Sequence, residues 1–166
     1  IILPVSFDET REAMSQNIAT RKQSLRYLSN GGAIGVFPGG TVSTSERPFG
    51  QALDPGWRAF TARMIAKSDA TVVPMYFTGA NSRLFQLASH LHFTLRMSLL
   101  ISEFRRRVDE PVNVVIGDAI PRDELNRHRS DAKGMMDFLR HRTYALSPTP
   151  LKSLKYGFEF EDRYKG

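Results

Sequence analysis

The sequence predicts an α/β domain with a mostly parallel sheet covered by helices. Short runs of β-branched and small apolar residues alternate with longer stretches in which apolar residues recur every three or four positions. The resulting order is β-α-β-α-β-(α)-β-α. A length of 166 residues, with 41% hydrophobic and 24% charged side chains, suits one globular core.

The elements follow in order. Ile1–Phe7, with Pro4 inside it, reads as the end of a strand. Asp8 then caps a helix to about Ser29, whose apolar face is Met14, Ile18, Leu25 and Leu28. Asn30-Gly31-Gly32 ends it, because glycine accepts the left-handed cap conformation without steric cost. Ala33–Phe37 reads as a short buried strand, and residues 38–53 as a long loop rich in Gly, Ser and Thr. Asp54-Pro55 opens the next helix, with Trp57, Phe60 and Met64 on its apolar face. Thr71–Phe77 is a strand whose Pro74 marks a strand end or a bulge. Two helices follow, one around Leu84, Phe85, Leu87 and Leu91, the other around Leu95, Leu99 and Leu100 and ending at Arg105–Arg107. Pro111–Ile120 is a further strand, Pro121–Arg129 a connection, and Ser130 caps a helix carrying Met135, Leu139 and Leu146. Ser147-Pro148-Thr149-Pro150 closes a domain of residues 1–147. Residues 148–166 form a tail that either docks back through Tyr156, Phe158, Phe160 and Tyr164 or hangs loose.

Several chemistries are set aside early. With no cysteine there is no disulfide, thiol nucleophile or zinc thiolate. His90 and His92 are two apart, which on a helix turns them away from each other, so no metal centre is expected. No apolar run reaches membrane-spanning length and no signal peptide is present. The net charge of +6 favours phosphates, anionic lipid head groups or acidic carrier proteins. No stacking platform or recognition motif accompanies it, so nucleic acid is not an expected partner. The basic block Arg105–Arg107 either meets such an anionic partner or is a solvated face. Leu84–Leu100 either touches a membrane surface or is a buried helix.

The stretch with the most chemical content is Phe37-Pro38-Gly39-Gly40-Thr41-Val42-Ser43, at the carboxyl end of a predicted strand, where open α/β sheets bind ligands. Its glycines let backbone N–H groups approach an anion, and Thr41, Ser43, Thr44 and Ser45 add hydroxyls. Phosphate cradle and flexible loop are both open readings. No lysine follows in the Walker frame and no dinucleotide fingerprint is present, so nucleotide chemistry is poorly supported. Arg83, set among Asn81, Ser82 and apolar residues, holds either a phosphate or the fold.

The same seven residues resemble the Phe-Pro-Glu-Gly-Thr-Arg-Ser block of glycerolipid acyltransferases. Val72-Val73-Pro74-Met75 resembles that family's later Val-Val-Pro-Val block. Gly79–Gln86 is similar to a stretch of the bacterial branch labelled hemolysin, which includes lysophospholipid and lyso-ornithine-lipid acyltransferases. The resemblance spans Ile1 to about Ile120. It implies a glycerol-3-phosphate acyltransferase-like fold. It also implies transfer of an acyl group from acyl-CoA or acyl carrier protein to the hydroxyl of a lysolipid, with no metal or redox cofactor.

The implied acceptor site is Phe37, Pro38, Gly39, Gly40, Thr41 and Ser43, with Pro74 and Arg83. Gly39 and Val42 stand where the family carries glutamate and arginine, so an acceptor other than lysophosphatidic acid is favoured. The arginine of a further family block, due near Ile1–Phe7, is absent there; Arg11 is the nearest. The family's catalytic His-x4-Asp is absent too: the positions five beyond the four histidines are Leu95, Met97, Lys133 and Leu146. With Ile1 as first residue, the expectation is a chain incomplete at the N-terminus, inactive alone, pairing with another copy or only marginally stable. The resemblance places the full-length enzyme in the cytoplasm, peripheral on the inner membrane. The alternative is a non-catalytic, membrane-peripheral lipid-binding protein on the same fold.

Overall fold

A computed structural model of the chain describes residues 3–6 and 10–159. The capping role of Asp8, the start and end of the first strand, and the aromatic side chains Phe160 and Tyr164 lie outside the described residues. The fold is α/β, with six helices and two small antiparallel sheets among the described residues. The chain divides into two compact units. The first comprises Ile1–Pro38, Arg58–Val72 and Ala119–Met136, the second Gly39–Trp57, Val73–Asp118 and Asp137–Gly166.

In the first unit, α1 spans Arg11–Ser29. Thr10 caps it by accepting from the Ala13 N–H at 3.1 Å. Gly31, at φ +80°, turns the chain out of the helix. The expected apolar face is not the buried one: Met14 and Ile18 are exposed, while Ala13, Thr20 and Ser24 are buried. Polar partners decide this. Thr20 donates to the Pro4 carbonyl at 2.7 Å, and Asn17 exchanges two hydrogen bonds with the Ser6 backbone. The extended segment 4–6 therefore lies along the small and polar face of the helix. Helix α2, Ala59–Ile65, begins four residues later than Pro55 suggests and buries Ala62, Met64 and Ile65. Residues 33–37 are extended, yet they do not form the predicted buried strand. Among the described residues the backbone groups of Ala33, Ile34, Gly35 and Val36 have no hydrogen-bond partner, and Val36 is exposed. A strand exists only by pairing, and among the described residues no backbone pairs with Ala33–Val36.

The first unit also holds an isolated antiparallel bridge, Val72 to Ile120. Residues 121–129, expected to be a mere connection, contain helix α5, Arg122–Arg127, which buries Leu125. Helix α6, Ala132–Tyr144, is capped by Asp131 rather than Ser130, through the Gly134 N–H at 2.9 Å.

In the second unit, the predicted loop contains a hairpin of β1, Thr44–Ser45, and β2, Ala52–Leu53, with Thr44 opposite Leu53. Two further strands, β3 at Met75–Phe77 and β4 at Val114–Ile116, pair with Tyr76 opposite Val115. The sequence leads to an expectation of a mostly parallel sheet; both pairs are antiparallel. The geometry follows from what joins β3 to β4. Two helices, α3 at Arg83–Leu91 and α4 at Phe93–Arg107, carry the chain out and back. It therefore re-enters at the end it left, and the next strand must run the other way.

That helical hairpin is clamped by Glu103, which is buried on α4. Its carboxylate accepts from the Ser82 hydroxyl and from the Ser82 N–H at 3.0 Å, at the start of α3. Burial pushes the carboxyl up, but the two Ser82 hydrogen bonds and the charges of Arg106 and Arg107 outweigh it and hold the group below its usual value. A depressed folded value means that Glu103 contributes stability above the ordinary carboxylate range, which is lost as pH falls through the folded value. The difference in denaturation midpoint between native protein and Glu103→Gln is therefore expected to shrink as pH falls from 7 towards 3. A pH-independent difference in urea melts would contradict this clamp.

Candidate functional site

In the second unit, the segment from Gly39 to Ser45 is held from behind by two charged side chains. Asp54 supplies one. Its Oδ1 accepts from the Ser43 hydroxyl, and its Oδ2 accepts from Trp57 Nε1 at 2.9 Å. Asp54 is itself fixed through its backbone, for its N–H donates to the Tyr144 hydroxyl at 2.9 Å and its carbonyl accepts from Arg140 at 3.0 Å and the Gly157 N–H at 2.8 Å. Burial, followed by the negative charge of Asp54, pushes the Tyr144 phenol up to about 12, so it is neutral at any working pH.

Arg96 of α4 supplies the other charge. Only 3% exposed, it donates to the Thr44 hydroxyl at 2.9 Å, the Ser89 hydroxyl at 2.7 Å and the Val42 carbonyl at 3.3 Å, and its guanidinium lies 4.9 Å from the centre of the Phe85 ring. Burial lowers its pKa. Gln86 of α3 completes the grip by accepting from the Ser45 N–H at 2.9 Å. The loop is thus anchored on its inner side at Val42–Ser45.

On the other side the loop is open. Gly39 is buried, and a Cβ there would stand 3.4 Å from the Asp54 carboxyl carbon, so only a small residue sits easily against this carboxylate. Gly40 is exposed at φ +68°, a conformation that favours glycine. Among the described residues, the N–H groups of Gly39, Gly40 and Thr41 donate to no protein acceptor. Successive amides without a protein acceptor are donors that an anion could use.

The other predicted residues fall elsewhere. Phe37 and Pro38 belong to the first unit, where they line an open cleft of about 620 Å³ with Val5, Tyr27, Ile34, Val36 and Met64. Among the described residues, two cations, Arg26 and Arg58, line this cleft and no acidic side chain does. Pro74 is buried just before β3, and its carbonyl accepts from the Gly117 N–H at 3.0 Å. Arg83 is exposed at the first turn of α3 and lines a small pocket of about 160 Å³ with Phe49, Gly50, Ala80, Asn81 and Gln86. Among the described residues neither Pro74 nor Arg83 is hydrogen-bonded to the 39–45 segment. The neighbouring Ser82 is bound to the Glu103 carboxylate.

Sequence reasoning overlooked Asp54, read as a helix start, and Arg96, read as one basic residue in an apolar segment. No local pattern marks Arg96, because Phe85 and Ser89 lie on α3 and Arg96 on α4, and the extended His92 between them breaks the helical period. Among the described residues, no group of three or more His, Cys, Asp or Glu side chains could hold a metal ion, and no helix is long and apolar enough to cross a membrane. Comparison with protein-family models, curated proteins and solved structures finds no match for this chain.

Proposed function

We propose that the chain is the acceptor-binding part of an acyltransferase that moves a fatty acyl group from a thioester to the hydroxyl of a lysolipid. The observation that carries this reading is the run of unpaired amides at Gly39, Gly40 and Thr41, held open by Asp54 and Arg96. The resemblance of residues 37–43 to the family's phosphate-binding block supports it. So does the first-unit cleft, apolar with two arginines and, among the described residues, no acid, whose chemistry suits an amphiphile with an anionic head. The parallel, glycerol-3-phosphate acyltransferase-like sheet belongs to the same proposal.

In the transfer, the acceptor oxygen attacks the thioester carbonyl carbon, the C–S bond breaks, and the hydroxyl proton passes to a base. The thioester is already activated, so acyl-CoA or acyl carrier protein serves as co-substrate and no metal or redox cofactor takes part. The chain's part is to hold the acceptor head group through main-chain N–H groups and the Thr41 hydroxyl, the Ser43 hydroxyl being committed to Asp54. The 166 residues contain no His-x4-Asp, so the base is assigned to sequence outside them. This absence also favours the second reading, a lipid-binding protein that does no chemistry.

Inorganic phosphate titrated into the isotopically labelled chain is expected to shift the amide resonances of Gly39, Gly40 and Thr41. A thiol-release assay with acyl-CoA and a lysophospholipid is expected to show no turnover by the 166-residue chain alone. Unmoved loop resonances would remove the anion-binding role. Turnover would show that the base lies within these residues.

A further inference from the structure

The helical hairpin of the second unit carries a surface that the acyl-transfer reading does not use. On α4, Phe93, Met97, Ile101 and Phe104 are all exposed, Ile101 by 66% and Phe104 by 72%. At about 100° per residue these four fall within an arc of about 80° on one side of the helix. Four large apolar side chains in a single stripe are more than scattered surface hydrophobes require. The adjoining helix adds Leu84 and Leu91, also exposed.

The charge on this hairpin is one-sided. The exposed charged residues of α3 and α4 are Arg83, Arg105, Arg106 and Arg107, all cationic. The single acid on the two helices, Glu103, is buried and bound to Ser82. It lies about 120° round α4 from the centre of the stripe, off the apolar face. Asp109 and Glu110 come only after the helix has ended. The stripe thus runs the length of a 15-residue helix whose last turn is three arginines.

We propose that α4 is a membrane-docking helix that lies in the surface of an anionic bilayer. Phe93, Met97, Ile101 and Phe104 enter the acyl boundary, and Arg105 and Arg107, on the two flanks of the stripe, pair with lipid phosphates. Apolar burial supplies the depth and the arginines supply the preference for negative lipid, the two terms that together hold an interfacial helix. An acidic protein would satisfy the arginines but would need a matching apolar groove. A bilayer needs none, and the stripe's aromatic and aliphatic residues suit its interface. The proposal does not depend on acyl transfer, since a lipid binder without chemistry would dock in the same way.

The absence of cysteine makes the test direct, because an introduced thiol is unique. Ile101→Cys, labelled with a polarity-sensitive dye, is mixed with vesicles of phosphatidylglycerol and phosphatidylethanolamine, and separately with pure phosphatidylcholine. A blue shift with the anionic vesicles, weakened by 0.5 M salt and absent in a Lys67→Cys control on the first unit, is the expected result. Co-sedimentation with the anionic vesicles is expected to weaken by roughly tenfold in Arg105→Gln/Arg107→Gln and again in Phe104→Ser, with circular dichroism unchanged. Equal binding to phosphatidylcholine, or a dye shift that grows with protein concentration without vesicles, would overturn the proposal. The second outcome would reveal a contact between copies. Retention of full binding by both variants would equally overturn it.

Discussion

Arg140→Met is expected to lower stability by roughly 3 kcal/mol, seen as a fall in thermal midpoint of roughly 6–12 °C. Arg140 is 1% exposed and is the largest fully buried side chain. Its guanidinium donates to three carbonyls: Leu154 at 2.7 Å, Lys155 at 3.0 Å and Asp54 at 3.0 Å. It also lies 4.8 Å from the Tyr144 ring centre and 5.1 Å from that of Tyr156. Methionine fills much of the volume but donates nothing, so the carbonyls lose a charged partner that water replaces only in part. Of the two readings left open for the tail, docking is the one found for its described residues: Arg140 pins 154–155, and the Gly157 and Phe158 amides donate to Asp54 and Thr44. Limited proteolysis supplies the specific readout. Cleavage near Lys152 and Lys155 is expected to accelerate in the variant more than cleavage within α3 and α4. Uniform acceleration would mean that Arg140 stabilises the unit as a whole and does not fasten the tail.

The second large effect is expected at Arg96. Arg96→Met should cost roughly 3 kcal/mol, because the hydroxyls of Thr44 and Ser89 and the Val42 carbonyl lose a charge-assisted donor in a buried setting. Loss of cohesion at Val42 and Thr44 also predicts a functional signature. In a variant that remains folded, the phosphate-induced shifts at Gly39 and Gly40 should weaken, and hydrogen exchange at residues 41–45 should speed up. Arg96→Lys keeps a charge but not the planar fork that reaches three acceptors, and it should fall between the two. Unchanged exchange in the loop would show that Arg96 supports the α3–α4 hairpin alone.

Much of the helical architecture can be read locally. Helices α3 and α4 were legible because apolar spacing, the Ser82 cap and the terminal arginines all lie within a few residues of what they organise. The extent of α1 was legible for the same reason, although its buried face was not. That face depends on Pro4 and Ser6, which reach Thr20 and Asn17 from 16 and 11 positions away. A polar side chain reads as exposed until its partner is known.

The candidate loop shows the same division. Phe37–Ser45 stands out in the sequence because consecutive glycines beside hydroxyl residues are unusual after an apolar run. Composition, charge, the absence of cysteine and the rough extent of α1, α3 and α4 also come from the sequence alone, whereas the start of α2, the cap of α6 and the existence of α5 did not. Strand direction, the grip of Asp54 across 11 positions and that of Arg96 across 52, and the docking of the tail were settled only by folding. Hydrogen bonds between distant groups depend on where the backbone brings them. A pattern of residue types says which groups need partners, and three-dimensional packing says which partners they find.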